Sequence, residues 1–140
     1  QPNVLPLTRE YVAEAGMSDS VSTVEGDFNR DPLPGGFDMV FLSHVLHSNS
    51  VEECRALIWK SFGSLNQGGR VVVHDFLPNE ERTGPPMPVL FALNMLVGTQ
   101  AGDTFTQSEI TGWLEEAGFA EVERIDPEGF NSSLLVAVKR

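Results

Sequence analysis

The feature that most constrains the fold is the alternation of short apolar strands with an amphipathic helix. Phe37–Leu42 is apolar almost throughout, which predicts a parallel strand covered on both faces. Ser50 and Glu53 then fit a capping box that opens a helix with apolar residues at helical spacing. Arg70–Phe76, with three consecutive valines, is the next predicted strand. This order predicts an open α/β sheet, in which ligands bind beyond the carboxyl ends of the strands.

The remaining elements are predicted from helix-stop glycines, a second capping box and short apolar runs. In chain order they are a helix at Leu7–Ala15 stopped by Gly16, a strand at Val21–Val24, a helix at Val89–Val97, a helix between Thr106 and Gly118, and strands at Phe119–Ile125 and Ser133–Val138. The last two strands are expected to pair in antiparallel fashion. Residues 1–140 are therefore interpreted as one domain.

Composition narrows the classes of partner and compartment. The 140 residues carry a net charge of -11, which repels phosphate backbones and anionic lipid headgroups, so neither nucleic acid nor membrane is an expected partner. Cys54 is the only cysteine, which excludes an internal disulfide and favours a reducing compartment. A cytoplasmic location is the resulting expectation.

Four motifs, taken together, indicate a family. The run Glu25–Phe28, the strand Phe37–Leu42, the Leu46–His47 pair and the segment Gly68–Val73 resemble, in order and spacing, class I S-adenosylmethionine-dependent methyltransferases. The closest similarity is to the small-molecule O-methyltransferase branch, and it extends from about Val4 to the end. The resemblance implies a Rossmann-like sheet and transfer of a methyl group from S-adenosylmethionine to a small-molecule hydroxyl.

The same resemblance implies three cofactor-binding positions. Asp27 matches the acidic residue that accepts a hydrogen bond from the adenine amino group, and Phe28 would pack against the adenine ring. Ser43 takes the place of a lysine that some plant members carry near the methionine part of the cofactor. On residue chemistry alone, an acidic residue after a strand is more often a loop or cap residue, so that interpretation of Asp27 stays open.

His47 matches the histidine that the family uses as general base, and Asp75 matches an acidic residue that positions this base. Imidazole suits proton abstraction because its unperturbed pKa of about 6.5 leaves a large neutral fraction at neutral pH. A lone histidine is otherwise more often structural. The sequence departs from the family where Ser48-Asn49 replaces an aspartate and a tryptophan, and where the second acidic position, near Thr104, is not acidic.

The other candidate residues concern the acceptor and the remaining histidines. Val89–Val97 matches the segment that lines the acceptor pocket in the family, so three of its side chains are candidates for contact with an aromatic or apolar acceptor: Phe91, Asn94 and Met95. Apolar residues at helical spacing are equally typical of a core. His44 and His74 are expected to be structural or pocket-lining, and the spacing of the histidines predicts no metal site.

The resemblance also implies that the chain is a partial catalytic domain. Gln1–Val4 resembles the sequence just beyond the family's ribose-binding acidic residue, so the first two strands and the glycine-rich loop are expected to be absent. The family's amino-terminal helical domain, which commonly forms a homodimer, is expected to be absent as well. We therefore expect this chain to bind the cofactor poorly by itself. Two interpretations stay open: the chain is a piece of a longer protein, or another chain covers its exposed sheet edges.

Two further functional classes remain open at this stage. The chain can come from a C- or N-methyltransferase, or from a relative that uses the same cofactor without methylating. It can also be a non-catalytic binding or assembly module with this fold, because a fold alone does not fix a function.

Overall fold

The computed structural model describes residues 4–140, so Gln1, Pro2 and Asn3 of the segment compared with the ribose-binding region lie outside the described residues. The chain divides into two compact units, Gln1–Pro32 and Leu33–Arg140, and each is described by itself.

In the described part of the amino-terminal unit, residues 4–32, the one helix is α1 at Leu5–Glu14. Its carboxyl end is followed by Gly16 with φ of 68°, a left-handed conformation that glycine adopts without strain, so the predicted stop is confirmed. The predicted strand at Val21–Val24 is wrong, because these residues form no ladder. A strand needs a neighbour to satisfy its backbone groups, and a local apolar pattern cannot supply one.

The larger unit is built on a four-stranded mixed sheet. Its strands are β1 (Phe37–Ser43), β2 (Leu65–Asp75), β3 (Phe119–Ile125) and β4 (Ser133–Lys139). They lie in the order β1-β2-β4-β3, with β1 parallel to β2 and with β4 antiparallel to both β2 and β3. The α/β class and the antiparallel carboxy-terminal pair are confirmed.

Three helices and one short 3-10 helix connect these strands. They are the 3-10 helix Leu46–Ser48, α2 (Val51–Ser64), α3 (Pro86–Gly98) and α4 (Gln107–Ala117). Both predicted capping boxes are present, at Ser50 for α2 and at Thr106 for α4. Gly118 ends α4 with φ of 102°, as its position predicts. Within residues 4–140, no helix is both long enough and apolar enough to cross a membrane.

β1 differs from the expectation of a strand covered on both faces. Met39 and Phe41 are 58% and 57% exposed, and Phe37 is 45% exposed. The exposed apolar residues are every second one along the strand, so one face of β1 lacks cover among the described residues. Leu42 on the other face is buried, and Val40 packs against the core. β1 is also an edge strand, with which only β2 pairs among the described residues.

The core lies between the sheet and the pair α2 and α4. Ile58, Val71, Leu114 and Leu135 are fully buried there, and each belongs to a different element. Cys54 of α2 is also completely buried, and its Sγ donates to the Leu46 carbonyl oxygen at 3.2 Å. The cysteine therefore helps to anchor the 3-10 helix to α2.

We predict that Cys54 does not react with thiol reagents in the folded chain. Burial, aided by the negative charges of Asp75 and Glu53, raises the pKa of this thiol to about 12, so the reactive thiolate is scarce at pH 8. A chromogenic disulfide reagent should label one thiol per chain in denaturant and almost none without it. Rapid stoichiometric labelling of the native chain would contradict the described burial.

Candidate active site

The candidate site lies at the carboxyl ends of the two parallel strands. The register pairs Ser43, the last residue of β1, with His74 of β2. Beyond Ser43 the chain turns at His44, whose φ is 53°, and enters the 3-10 helix that carries His47. Asp75 ends β2 beside this helix. The two residues predicted to form the base and its partner are therefore brought together.

His47 and Asp75 form a short hydrogen bond. His47 Nδ1 donates to Asp75 Oδ1 at 2.6 Å, and the two residues are only 8% and 3% exposed. A carboxylate can only accept, so the proton lies on Nδ1 and the lone pair on Nε2. The tautomer of His47 thus leaves Nε2 able to accept a proton.

Backbone donors hold Asp75 in place for this task. The Phe76 amide donates to Oδ1 at 2.9 Å, and the His47 amide lies 3.3 Å from Oδ2. With the imidazole, three donors from two neighbouring segments converge on one carboxylate. The side chain of Asp75 is therefore preorganised to orient His47, as a partner of a catalytic histidine must be.

Aromatic rings surround the imidazole. Phe91 of α3 meets it edge to face at a centroid distance of 4.9 Å, and Phe76 is stacked near it at 6.3 Å. The two phenylalanine rings lie 4.6 Å from one another. Phe91 thus lies beside His47, whereas Asn94 is exposed on α3 and Met95 is buried. The acceptor-binding roles of all three residues stay predictions. Sequence reasoning missed Phe76, although it directly follows Asp75.

A second hydrogen-bonded chain crosses the same end of the sheet. Ser43 Oγ lies 3.0 Å from His74 Nδ1, and His74 Nε2 lies 2.8 Å from Ser132 Oγ. Both ring nitrogens of His74 are engaged, which matches the expectation of a structural histidine. These hydrogen bonds hold the Ser43 hydroxyl in place. The cofactor-binding role of Ser43 stays a prediction.

His44 lies beside the dyad and is the least buried of the three histidines. Its Nδ1 is 3.8 Å from Asp75 Oδ1, and its ring lies 4.5 Å from that of His74. Burial lowers the pKa of His44; the Asp75 carboxylate opposes this shift, and the other two histidines add to it.

The spacing of the histidines along the sequence predicts no metal site, but the structure brings three possible metal ligands together. Possible ligand atoms of His44, His47 and Asp75 all lie within 4.8 Å of one another. The interpretation of His44 as merely structural or pocket-lining is therefore incomplete, because spacing along the chain does not reveal groups that a turn and a parallel strand bring together.

The positions that depart from the family pattern have local roles. Asn49 is 5% exposed, and its side-chain amide donates to the Val45 carbonyl oxygen at 2.6 Å across the 3-10 helix. Thr104 is buried and donates to the Pro88 carbonyl oxygen at 3.2 Å. Thr104 thus stabilises the start of α3.

Asp27 and Phe28 belong to the amino-terminal unit. Asp27 Oδ1 accepts from the Asn29 amide at 3.0 Å, and its Oδ2 lies 3.5 Å from the Arg30 guanidinium. This pattern is a local Asx-type turn, so the structural interpretation of Asp27 has direct support. Both side chains are exposed, and their adenine-binding role stays a prediction.

Comparison with known proteins identifies the family. Residues 1–120 match the sequence profile of the O-methyltransferase domain. The chain belongs to the O-methyltransferase domain family. It is 38% identical over 124 residues to a 3-hydroxy-5-methyl-1-naphthoate 3-O-methyltransferase of Streptomyces sahachiroi, covering 89% of this chain and 36% of the relative. It is 32% identical over 142 residues to an L-tyrosine C(3)-methyltransferase of Streptomyces lavendulae, covering 99% of this chain and 39% of the relative.

Solved structures of the family share the fold. An O-methyltransferase family 2 protein of Planctomyces limnophilus, in complex with apigenin, superposes with a TM-score of 0.91 at 31% identity, covering 100% of this chain and 41% of that one. Human N-acetylserotonin methyltransferase, in complex with SAM, gives a TM-score of 0.75 at 31% identity, covering 88% and 36%. This O-methyltransferase domain therefore spans little more than a third of the length of its relatives.

Gly102 is a further residue on which the geometry of the O-methyltransferase domain depends. A Cβ at this position would lie 2.3 Å from the His47 carbonyl oxygen and 2.6 Å from Thr99 Oγ1. The loop after α3 can pack against the 3-10 helix only because the side chain is absent. No signal in the sequence indicates this contact, because it joins segments that are far apart along the chain.

We predict that Gly102→Ala destabilises the domain by about 1–3 kcal/mol, because the clash is with backbone and resembles overpacking of a core. Urea unfolding would measure this. Gly112→Ala is the matched control: its Cβ meets nothing within 4 Å in α4, so a gain of roughly 0.5–1 kcal/mol is expected. Equal stability of the two variants would contradict the close approach at Gly102.

Proposed function

We propose that the full-length protein transfers a methyl group from S-adenosylmethionine to a hydroxyl of a small aromatic or apolar molecule. The observation that carries this proposal is the His47–Asp75 dyad, in which a buried imidazole keeps an unprotonated Nε2 beside two aromatic rings. The family and the complex of a relative with SAM support the choice of cofactor.

The chain's own residues perform the proton transfer. S-adenosylmethionine, when bound, would supply an electrophilic methyl group on a positively charged sulfur and would leave as S-adenosylhomocysteine once its carbon–sulfur bond breaks. His47 Nε2 would accept the proton of the acceptor hydroxyl, so that the hydroxyl oxygen becomes the nucleophile for that methyl group. Asp75 then stabilises the imidazolium that forms, without moving, because its three hydrogen bonds already exist. The remaining contribution is alignment of the two reactants.

The residues present fit the proposed cofactor in chemical type. The exposed carboxylate of Asp27 can accept from an adenine amino group, and the exposed ring of Phe28 can pack on a purine. The Ser43 hydroxyl, oriented by His74, can hydrogen-bond to the amino-acid end.

The walls of the site favour an aromatic acceptor. Phe76 and Phe91 meet at an angle of 51° beside His47, and a flat ring held against them would present its hydroxyl to the imidazole. The naphthoate named for one relative and the apigenin bound to another are both aromatic. We propose a phenol-type acceptor on this basis.

Methylation at carbon is the alternative that a specific observation favours. One relative is a tyrosine C(3)-methyltransferase, and deprotonation of a phenol by the same base also makes the neighbouring ring carbon nucleophilic. Products from labelled cofactor separate the two reactions, because only an O-methyl group is removed by ether cleavage.

We predict that His47→Asn in the full-length protein lowers kcat by roughly 10²–10⁴-fold, because a general base contributes about that factor. Binding of S-adenosylhomocysteine, measured by calorimetry, should change little. Labelled S-adenosylmethionine and a panel of phenols provide the activity assay. Glu116→Gln, which alters an exposed ion pair with Arg55, is the control and should keep full activity. Unchanged turnover in His47→Asn would contradict the proposed role of His47 as general base.

We further propose that the full-length protein is a cytoplasmic homodimer without nucleic-acid or membrane partners. The net charge of -11 supports the lack of nucleic-acid and membrane partners, and the single buried cysteine supports the cytoplasmic location. Exposed apolar side chains of α3, such as Leu93, Leu96 and Val97 at 59%, 74% and 88%, support an interface.

Light scattering after gel filtration should give twice the chain mass, and Leu96→Glu should shift the protein towards monomer. Trp59→Glu is the matched control, because it places the same charge at another exposed apolar residue, on α2. A wild-type protein that is monomeric at all concentrations contradicts the dimer.

A further inference from the structure

All three histidines of the chain lie in one cluster at the end of the sheet. The ring of His44 is 4.5 Å from that of His74 and 5.8 Å from that of His47. The only cysteine is buried and donates to backbone oxygens of another segment. Any binding of an imidazole-preferring metal ion by this chain must therefore use the cluster.

The three imidazoles differ in what their nitrogens already do. His74 is held at both ring nitrogens by Ser43 and Ser132. His44 has a side chain that is 37% exposed, and its Nδ1 faces Asp75 Oδ1 at 3.8 Å. His47 faces the same carboxylate oxygen at 2.6 Å. The set that converges on one point is therefore His44, His47 and Asp75.

We propose that His44, His47 and Asp75 form a binding site for a zinc-type divalent cation, and that occupation of this site switches off the base. The inhibition of methyl transfer rests on the proposed function, whereas the binding of the ion does not. Two imidazoles and a carboxylate are a ligand set that zinc accepts, with a fourth position open. Hard cations such as Mg²⁺ prefer all-oxygen sites and should bind weakly.

The geometry needs only small movements to accept the ion. Bonds of about 2.0–2.1 Å in a tetrahedron place the donor atoms roughly 3.4 Å apart. The distances from Asp75 Oδ1 are 2.6 Å to His47 and 3.8 Å to His44, and the whole set lies within 4.8 Å. A rotation of the exposed His44 ring brings in the most distant donor.

Metal binding removes the lone pair on which proton abstraction depends. An ion on His47 Nδ1 displaces the proton shared with Asp75, and the single proton of the neutral ring then occupies Nε2. An ion on Nε2 uses that lone pair directly. In either case His47 cannot accept the acceptor's proton, so the ion lowers kcat rather than only the affinity for the acceptor.

The test uses the full-length protein, zinc at free concentrations set by a chelator buffer, and Mg²⁺ as the contrasting ion. Zinc affinity is measured by competition with a chromophoric chelator, and methyl transfer is measured in parallel. At ten times the dissociation constant, zinc should lower turnover about tenfold by mass action, and excess chelator should restore it.

His44→Asn is the decisive variant. Asparagine tolerates the positive φ of 53° at this position, so the backbone is kept while the imidazole is removed. Zinc affinity should fall by at least about tenfold, the smallest loss typical of changes around metal ligands, and zinc-free turnover should stay near wild type. His74→Asn is the matched control and should keep its zinc affinity.

Each outcome has one interpretation. The metal site is overturned by any of three results. Zinc affinity is equal in wild type and His44→Asn, or it falls equally in His74→Asn, or zinc binds more weakly than about millimolar. His44-dependent zinc binding without any methyl transfer leaves the site in place and overturns the proposed function. Methyl transfer that needs His47 but ignores bound zinc overturns the inhibitory role alone.

Discussion

The parallel pairing of β1 with β2 is the constraint on which the candidate site depends. It sets Ser43 opposite His74, and so it places the turn at His44 and the following 3-10 helix beside the end of β2. A slip of one residue would move every side chain of a strand to the other face, and Asp75 would no longer point towards His47. The buried valines of β2, which fill the core on one face only, oppose such a slip. Packing of the core therefore determines the positions of His47 and Asp75 at the end of the sheet.

Burial of the dyad has two opposing consequences. Surroundings of low polarity strengthen the hydrogen bond between His47 and Asp75, and they also disfavour any unpaired charge. The Asp75 carboxylate is therefore held by three donors. Two of them are backbone amides, which a change of side-chain rotamer cannot remove. In the proposed proton transfer, the charge that forms on His47 would be met by a carboxylate at 2.6 Å. Phe76 and Phe91, whose rings lie 4.6 Å apart, form an apolar wall on one side of the imidazole.

Sequence reasoning succeeded where the signal is local. Capping boxes at Ser50 and Thr106 and the helix stop at Gly118 depend on neighbouring residues, and all three are found. The pairing of His47 with Asp75 was accessible through the family resemblance and the rule that parallel strands share a functional end. Features set by distant contacts were not accessible from the sequence: Val21–Val24 lacks a partner strand, and one face of β1 is exposed. The approach of His44 to Asp75 depends on a positive φ that no local pattern announces.

The replacement of the family's aspartate and tryptophan by Ser48 and Asn49 does not undo the placement of His47. Asn49 closes the 3-10 helix by bonding to Val45, so the helix keeps a cap of its own. The His47 amide is directed at Asp75, and its carbonyl oxygen faces Gly102, so contacts on two sides fix the peptide groups around the residue. Since these anchors come from three separate segments, a change in one of them leaves the others to hold the imidazole. The position of His47, the proposed base, is thus determined by the fold around it more than by the residues that follow it in sequence.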